Sequence, residues 1–82
     1  SNEPYIIGFR SFKIVDKSPL AKKKVARMLA DAGIQKCTII VKGSTQRAED
    51  WHKKLKTKDG GDVYLILFHN KTTEAVLAQL IS

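Results

Sequence analysis

Two stretches of the chain carry apolar residues in patterns that predict β-strands. Residues 36–42 alternate, with Cys37, Ile39 and Val41 on one face, which is typical of a strand with one well-buried face. Residues 63–68 are apolar on both faces, as in a central strand that is covered on both sides. The sequence therefore predicts a sheet that contains at least one fully buried strand.

The first apolar run, residues 5–9, also predicts a strand. Phe12 and Ile14 follow this run with the opposite parity. Because a strand cannot change faces without a break, we expect a bulge or a turn near Arg10 and Ser11. Such a break can add a further short strand, and the sheet would then be mixed.

The first helix is marked at both ends. Ser18 suits the N-cap and Pro19 the first helical position, and Gly33 suits the left-handed residue after the helix. Apolar residues between these limits recur at helical spacing. They are Leu20, Val25, Met28, Leu29 and Ala32.

Two further helices are predicted in the second half of the chain. Residues 47–56 form the second, and Trp51 lies at core spacing, three residues after Ala48 and four before Leu55. A turn over residues 58–61 precedes the late strand. The last helix would begin at Asn70 or Thr72, and its apolar side would comprise Val76, Leu77, Leu80 and Ile81.

These elements follow one another in the order β-α-β-(α)-β-α. Such alternation predicts an α/β fold, a small sandwich in which helices pack on a three- or four-stranded sheet, and an α+β fold is the alternative. Eighty-two residues suffice for one domain, residues 1–82. Ser1 and Asn2 are typical of a cloning remnant, so we expect a domain excised from a longer protein.

The charge of the chain is strongly unbalanced. Fifteen Lys and Arg residues stand against eight Asp and Glu residues, a formal net charge of +7. The excess is concentrated in residues 1–41, where eight Lys and Arg residues face three acids. A positive excess of this size on a small domain favours a polyanionic partner.

Basic residues gather on the first helix and around the second. We expect them to contact nucleic-acid phosphates, either DNA or RNA, which gives affinity without sequence preference. The core spacing of Trp51 argues against a base-stacking role for its ring. The candidate binding residues are Lys22, Lys23, Arg27, Lys53, Lys54 and Lys58.

Other chemistry finds little support in the sequence. The single cysteine, Cys37, forms no internal disulfide, and with His52 and His69 it makes neither a zinc pattern nor a nucleophile pair. We therefore expect a non-enzymatic protein without a metal or cofactor. The chain contains neither an apolar run of membrane-spanning length nor a signal peptide, and we expect a cytoplasmic location without membrane contact.

Two alternative functions remain open. A basic face or a free sheet edge also suits a protein-interaction module with an acidic partner. In addition, the run Tyr5-Ile6-Ile7-Gly8-Phe9-Arg10-Ser11-Phe12, the helix ending at Ala32-Gly33 and the late run Tyr64-Leu65-Ile66-Leu67-Phe68 with a closing helix resemble the order of SPOR domains. That resemblance implies binding to peptidoglycan glycan strands. The chain differs from those domains at His69-Asn70-Lys71, where they carry a Gly-Pro-Phe-type segment.

Overall fold

Five strands and two helices make up the fold in a computed structural model, which describes residues 4–7, 10–69 and 73–81, with side chains for residues 11–69 and 73–81. This arrangement is the predicted α/β sandwich. In chain order the elements are β1 (Pro4–Ile7), β2 (Arg10–Pro19), α1 (Lys22–Asp31), β3 (Lys36–Lys42), α2 (Ala48–Leu55), β4 (Lys58–Phe68) and β5 (Glu74–Leu80).

One mixed sheet contains all five strands in the order β1-β2-β5-β4-β3. Strands β3 and β4 are parallel, and the other neighbouring pairs are antiparallel. The four strands β2, β5, β4 and β3 are seven residues or longer and form the main sheet, and the four-residue strand β1 extends it at one edge. The first apolar run and the residues after it form two separate strands, as the predicted break required, but Arg10 and Ser11 lie inside β2, where they pair with Ile7 and Ile6. The sheet is mixed because β3 and β4 are parallel.

Both helices pack on the same face of this sheet. Their buried residues form one apolar cluster with the inward residues of β3, β4 and β5. The cluster excludes the buried residues of the opposite sheet face, among them Phe12, Ile66 and Ala78. The molecule is therefore a two-layer sandwich, in which the helices cover one face of the sheet and the opposite face carries its own buried apolar residues. The cluster comprises Val25, Met28, Leu29, Cys37, Ile39, Trp51, Leu65, Leu67, Ala75 and Leu77.

The predicted closing helix is wrong, because residues 74–80 form strand β5. Its predicted start at Asn70 or Thr72 lies outside the described residues. Strand β5 lies between β2 and β4 and is buried on both faces, from Ala75 to Ala78. A strand buried on both faces loses the alternation that distinguishes it from a helix. The closing helix that formed part of the SPOR resemblance is therefore a strand.

The start of the first helix also differs from the prediction. Ser18 and Pro19 end strand β2, where they pair with Ala75 and Glu74, and α1 begins at Lys22 with Ala21 as its N-cap. Pro19 is tolerated at this strand end because its missing N–H interrupts little of the ladder. The helix therefore begins three residues later than its local signals indicate.

The end of α1 follows the prediction. Gly33 has a φ of 70°. The Ile34 N–H donates to the Leu29 carbonyl at 2.9 Å, and the Gly33 N–H donates to the Ala30 carbonyl at 3.1 Å. These two bonds form a Schellman motif, which satisfies carbonyls at the helix end. The motif turns the chain sharply into β3.

The predicted turn at residues 58–61 is instead the first part of β4. The register between β3 and β4 shifts here, from the pair Cys37–Asp59 to the pair Thr38–Tyr64. Gly60 and Gly61 absorb this irregularity with φ values of 117° and 87°. The glycines thus serve a bulge inside a strand, which is the other structure that favours positive φ.

Candidate nucleic-acid interface

The helix layer presents its charged side chains to solvent. All thirteen Lys and Arg side chains within the described residues are exposed. In that part of the chain, Arg27 forms an ion pair with Asp31 and Arg47 forms one with Glu49, and no lysine is paired with an acid. The positive excess therefore lies on the surface and is largely uncompensated by neighbouring carboxylates.

Helix α1 carries three of the predicted residues along its exposed side. Lys22 and Lys23 lie in the first turn, and Arg27 follows Lys23 by four residues, which places the two on the same side of the helix. Arg27 Nε lies 3.9 Å from Asp31 Oδ2, and both side chains are mostly exposed. Such an exposed pair is weak, so the guanidinium of Arg27 remains available for a phosphate.

The first turn of α1 is unusually favourable for anions. Its residues include no acid, and its N-cap residue, Ala21, has no polar side chain to accept a hydrogen bond from the first N–H groups. Unsatisfied N–H groups and the helix dipole attract negative charge at a helix start. Lys22 and Lys23 increase this positive potential.

The other three predicted residues lie at and after the end of α2. Lys53 and Lys54 belong to its last turn, and Lys58 begins β4. The Lys54 ammonium lies 5.0 Å from the ring centroid of Trp51, within reach of a cation–π interaction. Trp51 is only 5% exposed and donates its indole N–H to Gln46 Oε1 at 3.0 Å. The ring belongs to the core, as its spacing predicted.

The topology places these two groups in one layer but at opposite ends. Strands β2, β3 and β4 point the same way, so α1 and α2 both begin at their carboxyl ends and run back. Lys22 and Lys23 therefore lie at one end of the layer, and Lys53, Lys54 and Lys58 lie at the other. A ten-residue helix is about 15 Å long, so a partner that contacts both groups must extend along the layer.

A groove between the two helices is a feature that the sequence reasoning missed. Its volume is about 330 Å³. Ala26, Ala30 and Gly33 follow one another along α1 at spacings of four and three residues, and this run of small residues is the signal that could have revealed it. The lining comprises Ala26, Leu29, Ala30, Gly33, Ile34, Gln35, Leu55, Lys56 and Thr57.

A small polar cluster joins α2 to the start of β4. His52 Nδ1 and Thr57 Oγ1 share a hydrogen bond of 2.8 Å, and His52 Nε2 lies 3.5 Å from Asp59 Oδ1. Burial, together with the charge of Asp59, raises the pKa of the Cys37 thiol from its ordinary 9.0 to about 11, against a smaller opposing effect of a hydrogen bond from Thr57. Cys37 is therefore a protonated core residue at neutral pH.

The described residues contain neither a metal site nor a membrane-spanning helix. No group of three or more His, Cys, Asp and Glu side chains among them is arranged to hold a metal ion. In the same part of the chain, neither helix has the length and apolar character that crossing a membrane requires.

Comparison with known proteins identifies a family. A family model described as THUMP domain-like matches residues 9–79, which is well over half of the chain. This domain family is associated with RNA binding. No curated protein and no solved structure matches the chain significantly.

Proposed function

This chain belongs to the THUMP domain-like family, and we propose that it is a non-enzymatic RNA-binding module that contacts phosphates through its helix layer. The family's association with RNA favours RNA over DNA, a choice that the charge pattern alone leaves open. The observation that carries the proposal is the exposed and largely unpaired positive charge of the helix layer. Its contact residues are Lys22, Lys23, Arg27, Lys53, Lys54 and Lys58.

The physical basis of the binding is neutralisation of phosphate charge. Each lysine or arginine that contacts a phosphate releases condensed counterions, and the logarithm of affinity then falls linearly with the logarithm of salt concentration. Two groups of cations at the ends of one layer suit a strand that runs along it. Contacts of this kind orient the RNA without reading its sequence.

Fluorescence anisotropy tests this function directly. Labelled single-stranded RNA, an RNA hairpin and duplex DNA of equal length are titrated with the protein across a salt series. We expect the RNA affinities to fall with a slope of roughly 0.7 to 0.9 per phosphate contact on logarithmic axes. Absence of RNA binding at low salt would rule out the proposal.

Matched charge reversals test whether the helix layer is the binding surface. Changing Lys22 and Lys23 to Glu removes four charge units from the helix layer. Changing Lys17 and Lys42 to Glu removes four units as well, but the pairing of these residues places them on the sheet face opposite the helices. We expect the first pair to weaken RNA binding at least about tenfold more than the second. Equal losses would mean that net charge alone attracts the RNA.

A protein-interaction function is the second candidate, and the sheet topology favours it. Strand β3 lies at an edge of the sheet within the described residues, where its outer N–H and C=O groups can accept another strand. Lys36 and Lys42 at its two ends suit an acidic partner strand. A complex that persists at a salt concentration sufficient to release RNA would favour this function.

A further inference from the structure

We propose that the groove between α1 and α2 binds one unpaired base of the RNA. This inference rests on the proposed RNA-binding function and names a part of the ligand that phosphate contacts alone do not read. The groove volume of about 330 Å³ is at the small end of ligand pockets, which span roughly 300–1,000 Å³. It therefore suits a single flat group better than a folded RNA element.

The lining of the groove matches the chemistry of a base. Leu29, Ile34 and Leu55 are apolar residues that the packing of the helices leaves partly within the groove. Ala26 and Ala30 are short side chains of α1 that leave room between the helices. A base has apolar faces and a polar edge, and its faces gain contact with such a surface when they leave water.

Polar groups are confined to one part of this lining. They are the side chains of Gln35, Lys56 and Thr57. The amide of Gln35 is exposed and can both donate and accept a hydrogen bond, which suits the edge of any base. The ammonium of Lys56 is exposed as well and suits a phosphate next to the inserted nucleotide.

Conformation and space near the groove also favour an incoming group. Gly33 leaves its surroundings open, since nothing lies within 4 Å of the position that a Cβ atom would occupy. Lys56 holds a left-handed backbone conformation with a φ of 56°, which an L-residue with a long side chain rarely adopts. Strain of this kind is more common at functional sites than elsewhere.

The position of the groove connects it to the proposed phosphate contacts. Ala26 directly precedes Arg27 on α1, and Lys56 and Lys58 flank Thr57 on the other side of the groove. A strand whose phosphates contact these cations passes over the groove. Only an unpaired base can enter it, because a paired base is stacked on both faces.

Two variants test the groove without removing the charge of α1. Ala30→Phe fills the groove, and Ala32→Phe makes the same change at an exposed alanine outside its lining. We expect Ala30→Phe to reduce the affinity for a single-stranded hexauridylate roughly tenfold and to leave the affinity for a blunt RNA duplex unchanged. Ala32→Phe should change neither. Equal effects of the two variants on both RNAs would overturn the proposal.

A third variant removes the groove cation while preserving the fold. Lys56→Gly suits the left-handed backbone at this position, so it should unfold at the same denaturant concentration as the wild type or a higher one. We expect a loss of affinity for hexauridylate that is several-fold larger than the loss for the duplex. A loss of the same size for both RNAs would show that Lys56 acts only as a general cation.

Amide chemical shifts separate failure of this proposal from failure of the proposed function. On saturation with hexauridylate, the Gly33, Lys56 and Thr57 amides should shift, and with the duplex they should shift much less. If only the amides around Lys22 and Lys23 shift, the protein binds RNA but the groove holds no base. If no amide shifts with either RNA, both proposals are wrong.

Discussion

Burial of the Cys37 thiol has a direct consequence for the stability of the protein. Its pKa is raised to about 11 in the fold, mainly by burial and then by Asp59, so the folded protein keeps this proton up to about pH 11. The unfolded chain loses it near the ordinary value of 9.0. The stability that the protonated thiol contributes is therefore fully present below pH 9 and is lost as pH rises through 11.

This difference gives a measurable pH dependence. The free energy of unfolding of the wild type should fall by up to roughly 2–3 kcal/mol across this window because of Cys37 alone. Cys37→Ala lacks this titration, so the stability difference between wild type and variant should shrink from neutral pH to pH 11. Urea unfolding of both proteins at matched pH values measures it. A difference that stays constant with pH would contradict the assignment.

Gly33 and Lys56 show how the free-energy cost of a left-handed backbone conformation depends on the residue type. Both have positive φ after a helix, 70° and 56°, but only Gly33 adopts it without a steric penalty. Gly33→Ala should lower the free energy of unfolding by about 1 kcal/mol, and the open space around this position means that backbone strain alone causes the loss. Thermal unfolding measures the change. Gln35→Ala, at an exposed position close by, is the control and should change stability little.

Strand β4 depends on its bulge. Gly60 has a φ of 117°, and a Cβ atom there would lie 3.0 Å from the Lys36 Cε atom. Gly60→Ala should therefore destabilise the protein by about 1–3 kcal/mol. A Cβ atom at Gly61 would lie 4.0 Å from its nearest neighbour, so Gly61→Ala should cost less stability. Equal losses in urea unfolding would show that the exposed Lys36 side chain moves aside and that backbone strain alone determines both costs.

The end of α1 carries an acid that should oppose both helix stability and the proposed RNA binding. Asp31 lies at the negative end of the helix dipole and pairs weakly with Arg27. Asp31→Asn should raise the free energy of unfolding by about 0.3–1 kcal/mol and increase RNA affinity by a few-fold. Glu74→Gln makes the same charge change on the sheet face opposite the helices, since Glu74 pairs with Phe68, and is the control. A larger gain in affinity for Glu74→Gln would contradict a binding surface on the helix layer.

Elements with a distinct local pattern were predictable from the sequence, and elements defined by their neighbours were not. Strand β3 alternates along its length, and the interior of each helix shows its apolar stripe, so these elements were predicted closely. Strand β5 is made of residues such as Ala75, Leu77 and Gln79, which also suit a helix, and only its pairing with β2 and β4 makes it a strand. At Ser18 and Pro19 too, the pairing of β2 with β5 outweighs a local pattern that predicts the start of a helix.

The candidate site was predictable in composition but not in arrangement. The six cations followed from charge and helical spacing. Their distribution over two ends of one layer depends on the parallel direction of β2, β3 and β4, which no local pattern encodes. The groove depends on how α1 packs against α2, and its small residues, Ala26, Ala30 and Gly33, have no polar chemistry that marks them as a site.

At the scale of the whole molecule, the unpaired surface charge should act in opposite directions on folding and on binding. Exposed cations on one small domain repel one another, and salt screens this repulsion over a Debye length of about 10 Å at 0.1 M. The free energy of unfolding should therefore rise by about 1 kcal/mol between low and moderate salt, while RNA affinity falls steeply.

Urea unfolding and fluorescence anisotropy over one shared salt series measure both trends. The variant with Lys22 and Lys23 changed to Glu has less self-repulsion, so its stability should depend less on salt and its RNA affinity should have a shallower slope. Sodium chloride is preferred to a sulfate salt, because sulfate also strengthens apolar burial. A wild-type stability that falls with salt would mean that attractive surface pairs outweigh the repulsion among the exposed cations.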